Sequence, residues 1–332
     1  MIVTRGSRLP LYLAVPVVVL LAALPYLVAP PVTRTLVGLF ALVVLASMWN
    51  LLAGYGGMIS VGQQGFIGIG AYTVLLTDIA GVSPFVGIPF AALVAGLLAL
   101  PTTALVFRLN GGYFAIGTWV VAEVFRLVTV EFAAVGGGSG ASLTGLSALG
   151  PTLRGAVTYW CALAAVVLAV GVVFAIMRSR LGLALTAIRD DPTAADSLGV
   201  RVTAAKRLVF VVAAAGCGVA GAIIVLDSLR VQPDSIYSVQ WSAFMIFMVV
   251  IGGIGSIEGP ILGAIVFFAL QQVLEPYGVW YLVVLGLVAI AAALFARRGL
   301  WGLATGGRDV RFLPTGYRVA GSQGGVSGGG SP

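Results

Sequence analysis

Long apolar segments follow one another along most of the chain, and short polar connections separate them. The hydropathy predicts about ten such segments, at 10–29, 35–53, 66–80, 85–107, 113–130, 156–177, 208–226, 243–257, 260–274 and 279–296. A bilayer core about 30 Å thick needs about 20 helical residues, so 66–80 and 243–257 are short for spans. The pattern predicts an all-α fold, a polytopic transmembrane helical bundle of about ten spans.

One long polar run interrupts the apolar segments, from Arg178 to Arg207. Its charged residues are Arg178, Arg180, Arg189, Asp190, Asp191, Asp196, Arg201, Lys206 and Arg207. Positive charge collects in the cytoplasmic loops of membrane proteins, so this run is predicted to lie in the cytoplasm. A compact charged loop on that side indicates a contact surface for a cytoplasmic partner.

The other basic residues set the orientation of the predicted bundle. With Arg5 and Arg8 inside and ten crossings, only three of the 18 basic residues fall outside. These three are Arg34, Arg154 and Arg230. Both termini are therefore predicted to be cytoplasmic. The apolar run after Arg8 is long enough to span, which indicates an uncleaved first helix rather than a signal peptide.

The composition excludes a soluble protein. Hydrophobic residues make up 60% of the 332 residues, charged residues make up 9%, and the mean hydropathy is +1.11. The net charge of +7 belongs to loops between spans, so it indicates membrane orientation rather than nucleic-acid binding. The chain contains no histidine, so imidazole metal sites and histidine proton relays are excluded. Cys161 and Cys217 lie in apolar segments and are predicted to be buried, with no metal or other cofactor.

A nucleotide site of the Walker type is also excluded. Such a site needs Gly-Lys before Ser or Thr, whereas the only lysine, Lys206, lies between Ala205 and Arg207. The chain is therefore predicted not to be an enzyme by itself. If ATP drives its activity, another subunit must bind the ATP.

Two glycine clusters interrupt segments at membrane depth, at 54–70 and 252–260. Irregular backbone is tolerated there only where protein or a water-filled cavity satisfies its polar groups. In transporters such interruptions point to the substrate path, although close helix packing also favours glycine. The polar neighbours of the first cluster favour a lined path, and the second cluster is assigned to packing. The polar residues in and beside the first cluster are the candidate residues of the path: Asn50, Ser60, Gln63 and Gln64.

Two ionisable residues lie inside the fifth span. Glu123 is predicted to lie about 15 Å along the helix from its start, close to the bilayer centre. Arg126 follows three positions later on the same helical face. Charged residues at that depth are usually functional. Glu123 and Arg126 are therefore also candidate residues of the substrate path. The alternative is a self-neutralising ion pair that fixes helix packing.

The polar run contains a predicted short helix. Asp191 precedes Pro192, an arrangement typical of an N-cap followed by proline in the first turn. Thr193, Ala194 and Ala195 follow with helical propensity. Gly199 is positioned to end the helix as a C′ glycine. A capped helix on the cytoplasmic face is suited to insert into a groove of a partner, although an ordinary connecting helix stays an alternative.

Several of these runs together resemble LivM-type permeases, the membrane subunits of branched-chain amino acid ABC importers. The matching runs are NLLAGYGGMISVGQQGFIGIGAY at 50–72, NGGYFAIGTWVVAEVFR at 110–126, the glycine-rich loop at 136–145, RSRLGLALTAIRDD at 178–191 and GGIGSIEGPILGA at 252–264. The resemblance covers about residues 35–300, in the order of the family.

The resemblance implies a multi-pass subunit of a bacterial-type inner membrane. Its implied partners are a second related permease, two ATP-binding subunits and an extracytoplasmic solute-binding protein, and it implies no nucleic acid. The implied solutes are branched-chain amino acids, other amino acids, urea or short amides. Residues 193–199 have the spacing of the Glu-Ala-Ala-x-x-x-Gly coupling motif of ABC importers, with Thr193 where glutamate is usual. Alternating access would then be driven by partner subunits that push this helix.

A competing hypothesis is a stand-alone secondary transporter in which Glu123 takes up the coupling proton. The charged cytoplasmic helix favours the ABC importer, because a secondary transporter has no use for a docking helix. In either case, residues 1–302 are predicted to form one transmembrane domain that includes the loop 178–207. Residues 303–332 are predicted to form a flexible cytoplasmic tail rich in Gly and Ser.

Overall fold

The computed structural model describes residues 9–146, 149–278, 280–295 and 299–304. Its α-helices are α1 (Leu9–Leu27), α2 (Pro30–Asn50), α3 (Gln63–Ile79), α4 (Gly87–Val106), α5 (Gly112–Glu131), α6 (Pro151–Arg178), α7 (Arg180–Asp190), α8 (Pro192–Ser197), α9 (Val202–Ser228), α10 (Pro233–Ile236), α11 (Gln240–Gly252), α12 (Glu258–Leu274), α13 (Trp280–Phe295) and α14 (Gly299–Ala304). A π-helical turn, Leu51–Tyr55, continues α2. Two short strands, β1 (Ala141–Ser142) and β2 (Arg230–Val231), pair antiparallel.

The predicted all-α membrane bundle is confirmed. Each of the ten predicted apolar segments overlaps a helix. Seven helical stretches of the described residues are long and apolar enough to cross a membrane. These are Pro30–Tyr55, Pro84–Val106, Gly112–Glu131, Pro151–Arg178, Val202–Ser228, Pro233–Gly252 and Glu258–Tyr277. The remaining three predicted segments coincide with α1, α3 and α13, and ten crossings stay a prediction.

Three details of the prediction differ from the structure. The segment predicted at 243–257 leaves helical geometry after Gly252, because Gly253 takes a φ of +123° that ends α11. The polar run at 178–207 is helical over most of its length rather than an open loop. It consists of α7, α8 and the start of α9, with short connections between them. At the C-terminus α14 reaches Ala304, two residues into the predicted tail, and residues 305–332 lie outside the described part.

Glycines allow the central helices to approach closely. A side chain on Gly70 of α3 would overlap the backbone of Gly218 in α9, and one on Gly221 would overlap the backbone of Ile67. Small residues at helix contacts increase van der Waals packing in membranes, where no hydrophobic force draws helices together. The glycines from 65 to 70 therefore act in packing, whereas those from 54 to 62 surround the interruption itself.

Polar contacts gather the helix ends on two opposite sides of the bundle. On one side the Asp78 carboxylate, near the end of α3, accepts backbone N–H bonds of 2.8 Å from Thr144 and from Gly145. The β1–β2 pair joins the same α5–α6 connection to the segment that follows α9. On the other side the α2–α3, α6–α9 and α11–α12 connections meet. The predicted crossings would give the same alternation, and their number stays a prediction.

Candidate substrate path and coupling helix

The first glycine cluster brings non-helical backbone into the bundle. Between the π-helical turn and α3, the chain passes Gly57, whose φ is +65°, and reaches Gly62. The backbone N–H of Val61 donates to the Thr118 hydroxyl at 3.1 Å. Because Thr118 is six residues from the start of α5, this contact lies about 9 Å along that helix. Helix α3 therefore starts inside the bundle rather than at its edge.

A buried polar cluster lies at the start of α3. Ser60, Gln63 and Gln64 have no solvent-exposed surface. The Gln63 amide donates to the Ser60 hydroxyl at 3.3 Å, and the Ser242 hydroxyl of α11 donates to the Gln64 carbonyl oxygen. Within the described part of the chain, Gln63 Oε1 and Gln64 Nε2 have no hydrogen-bond partner. Unused hydrogen-bonding groups are costly in a dry interior, so this cluster is the least satisfied polar site of the described core.

Asn50 connects the two glycine clusters. Its amide nitrogen donates to the Ser256 carbonyl at 2.8 Å, and its carbonyl oxygen accepts from the Gly255 N–H at 2.9 Å. Asn50 is buried and lies at the end of α2, about 200 positions away in sequence. The second cluster also packs closely, as predicted, because a side chain on Gly252 would overlap the backbone of Gly259.

The ion pair of the fifth span has a third member. Arg126 donates from Nε and Nη2 to Glu123 Oε1 at 2.8 and 2.6 Å. It also donates from Nη1 to Asp234 Oδ1, at the start of α10, at 2.7 Å. The pairing of Glu123 with Arg126 agrees with the packing alternative. The sequence analysis did not identify Asp234, because it lies 108 positions after Arg126 on another element.

The predicted cytoplasmic helix has the predicted caps. The Asp191 carboxylate accepts backbone N–H bonds from Thr193 at 2.8 Å and from Ala194 at 3.1 Å. Pro192 occupies the first turn, and Gly199 takes a left-handed φ of +84° just after α8. Caps at both ends restrain a helix of six residues, which would be unstable in isolation.

Not every residue of the predicted coupling helix is open to a partner. Ala195 is 2% exposed and packs into the apolar core of its own chain. Leu198, in contrast, is 83% exposed at the end of the helix. A large apolar side chain on a rigid, charged surface is a suitable anchor for a partner. Leu198 is therefore the exposed apolar residue of α8 that the sequence analysis did not single out.

Helix α7 connects α8 to the glycine clusters through Arg189. The Arg189 guanidinium donates from Nη1 to the Gly54 carbonyl at 3.0 Å. The same nitrogen lies beside Gly255, and the Arg189 backbone lies against Gly57. One side chain of the polar run thus contacts both interruptions of the bundle.

Comparison with known proteins identifies the family. The family described as "Branched-chain amino acid transport system / permease component" matches residues 32–293. The chain belongs to this family. No solved structure matches the chain.

Two curated relatives carry the name "High-affinity branched-chain amino acid transport system permease protein LivM". The one from Salmonella typhimurium is 28% identical over 285 residues, which cover 78% of this permease and 67% of the relative. The one from Escherichia coli is 28% identical over 313 residues, which cover 86% of this permease and 73% of the relative. Together with the apolar helices, these matches make the chain a multi-pass membrane permease and a transport subunit.

The six candidate path residues of the permease fall into three groups. Ser60, Gln63 and Gln64 share the buried cluster, whereas Asn50 joins the glycine clusters. Glu123 and Arg126 belong to the ionic cluster with Asp234. Their assignment to a substrate path therefore stays a prediction.

The ionic cluster gives an expected order of stability losses. Glu123→Gln leaves Arg126 paired with Asp234 and should cost at most about 1 kcal/mol of unfolding free energy, as for exposed pairs. Arg126→Met removes both ion pairs and should cost more, about 2 kcal/mol, because two partly exposed pairs are lost together. Thermal unfolding of the detergent-solubilised permease measures both. Equal losses would show that Asp234 does not share the guanidinium.

Proposed function

We propose that the permease forms the translocation path of an ABC importer for branched-chain amino acids or a related small polar solute. A second related permease completes the path, two ATP-binding subunits drive it, and an extracytoplasmic binding protein delivers the solute. In this proposal the complex lies in a bacterial-type inner membrane with both termini in the cytoplasm. The observation that carries it is α8, a helix capped at both ends that presents Leu198 to solvent.

The coupling step starts at α8. Closure of the ATP-binding subunits pushes the helix, and its caps pass the displacement on without unwinding it. Arg189, at the end of the adjoining α7, transfers the displacement to the carbonyl of Gly54. Asn50 holds the loop of Gly255 and Ser256 to the same point, so both interruptions move together.

The buried polar cluster is the proposed closed point of the path. Ser60, Gln63 and Gln64 are inaccessible in this conformation, and two of their polar atoms have no partner among the described residues. Movement of the glycine interruption would expose these atoms to a solute, which could then satisfy them. Because the binding protein selects the solute, the membrane site needs only weak affinity.

Reconstitution tests this proposal against a proton-coupled secondary transporter. The permease and its partner subunits are placed in vesicles, and leucine uptake is measured with ATP in the compartment that α8 faces. We expect uptake that needs ATP and persists when an uncoupler removes the proton gradient. Uptake by the permease alone, with loss on addition of an uncoupler, would instead identify the secondary transporter.

A further inference from the structure

The ionic cluster of α5 and α10 exposes charge on a helix that otherwise presents apolar side chains. The exposed side-chain fractions are 26% for Arg126, 44% for Glu123 and 82% for Asp234. Charged groups at membrane depth cost several kcal/mol in contact with hydrocarbon. This face of α5 is therefore turned towards water or protein rather than towards lipid.

The cluster lies towards the end of the bundle opposite to α8. Arg126 is five residues before the end of α5 at Glu131, which corresponds to about 7.5 Å. Asp234 follows β2, and β2 pairs with β1 in the connection after α5. In the proposed orientation this end is the extracytoplasmic mouth, where a solute would enter.

The Arg126 guanidinium already pairs with the carboxylates of the cluster. All three nitrogens of Arg126 donate to Glu123 or Asp234 at 2.6–2.8 Å. Within the described ranges, Glu123 Oε2 and Asp234 Oδ2 accept no hydrogen bond from the protein. Two carboxylates and one guanidinium leave the cluster with a net charge of −1, so its open groups attract cations and repel anions.

A buried hydroxyl with unused hydrogen-bonding capacity lies on α3, against the segment that carries Asp234. Tyr72 is 4% exposed, and its hydroxyl has no partner among the described residues. Its ring stacks on Tyr237 with 6.0 Å between centroids, and the Tyr237 hydroxyl lies 2.9 Å from the Thr129 hydroxyl of α5. Tyr237 lies three residues after Asp234, directly at the end of α10. The unused Tyr72 oxygen is therefore a neutral acceptor on α3, the helix against which α10 packs.

We propose that Asp234, Glu123 and Tyr72 form a charge filter that binds the ammonium group of an entering solute and repels anions. The ammonium group pairs with the free carboxylate oxygens, while Arg126 stays paired and unavailable to a solute carboxylate. An amino acid is admitted by its ammonium end, and the corresponding carboxylic acid without an amino group is repelled. This inference rests on the proposed function for its solute, but the charge of the site can be measured without transport.

A cysteine reporter measures that charge in the full-length permease assembled with its partner subunits. Ser235→Cys, exposed beside Asp234, is introduced after the native Cys161 and Cys217 are replaced by alanine. Its labelling rates are compared for a cationic trimethylammonium-ethyl and an anionic sulfonato-ethyl methanethiosulfonate at low salt. A unit charge about 8 Å away in water changes their rate ratio about fivefold, so Asp234→Asn should lower the cation preference about fivefold.

Three variants control for general effects. Glu275→Gln removes an exposed carboxylate at the end of α12, outside the cluster, and should leave the ratio unchanged. Val120→Cys, 54% exposed one turn before Glu123, should react with the cationic reagent because its face lines the path. Leu168→Cys, 67% exposed on α6 and away from the charged cluster, is the comparison for Val120→Cys. Its thiol is expected to face lipid, so it should react at least about tenfold more slowly than that of Val120→Cys.

Small solutes test the binding step with the same reporter. Leucinamide carries the ammonium group without a carboxylate, and 4-methylpentanoate carries a carboxylate without an ammonium group. Leucinamide should slow the labelling of Ser235→Cys, 4-methylpentanoate should not, and Asp234→Asn should abolish the difference. Equal protection by both solutes, or a rate ratio that Asp234→Asn leaves unchanged, overturns the filter. Failure of leucine uptake with these thiol results intact would refute the proposed transport function instead.

Discussion

Leu198→Asp should disconnect the permease from its ATP-binding subunits while the membrane bundle stays folded. Leu198 is 83% exposed and makes little contact with its own chain, so its replacement removes no core packing. Burying a leucine in a partner groove contributes about 2 kcal/mol, which is about 30-fold in affinity. An aspartate adds the cost of desolvating a charge. Stimulation of ATP hydrolysis by loaded binding protein should therefore fall by at least about 30-fold at subsaturating subunit concentrations.

The control for this experiment is a substitution on the same helix. Thr193→Glu places the acid that is usual in the coupling motif at an exposed position, and it should preserve both docking and ATP hydrolysis. Co-purification of the ATP-binding subunits with each variant separates loss of docking from loss of stimulation. Wild-type stimulation in Leu198→Asp would show that α8 is an ordinary connecting helix. Ala195→Asp is unsuitable for this purpose, because Ala195 is buried in its own chain.

Arg189→Gln should uncouple ATP hydrolysis from uptake without detaching the ATP-binding subunits. The substitution removes the guanidinium that donates to the Gly54 carbonyl and leaves α8 and its caps in place. A hydrogen bond from a charged donor contributes about 1.5–3 kcal/mol. Solute taken up per ATP hydrolysed should therefore fall by about tenfold or more.

Two further variants make this test specific to the contact. Arg180→Gln removes an equal charge from the first turn of the same helix, where the side chain is exposed, and should leave the ratio of uptake to hydrolysis unchanged. Arg189→Lys keeps the charge without the planar fork of donors, so its ratio should lie between the other two. If the solute taken up per ATP hydrolysed is the same for Arg189→Gln and Arg180→Gln, the contact between Arg189 and Gly54 does not transmit the displacement.

Local patterns in the sequence determined most of the secondary structure. The apolar segments predicted helices because a backbone in lipid must satisfy its hydrogen bonds within one helix. Asp191, Pro192 and Gly199 predicted the limits of α8, since caps act within a few residues of a helix end. The spacing of Glu123 and Arg126 likewise placed both on one helical face. The family followed from short motifs in order, and residues 32–293 match it.

Contacts between distant elements were decided by the tertiary structure alone. Asp234 reaches Arg126 across 108 positions, and Asn50 reaches the Gly255 loop across 205 positions. No local pattern encodes such partners, because they depend on which helices pack together and at what height. For the same reason, the sequence did not predict which face of α8 is exposed. Its six residues are too few for a hydrophobic period, so only its packing on the bundle buries Ala195 and exposes Leu198.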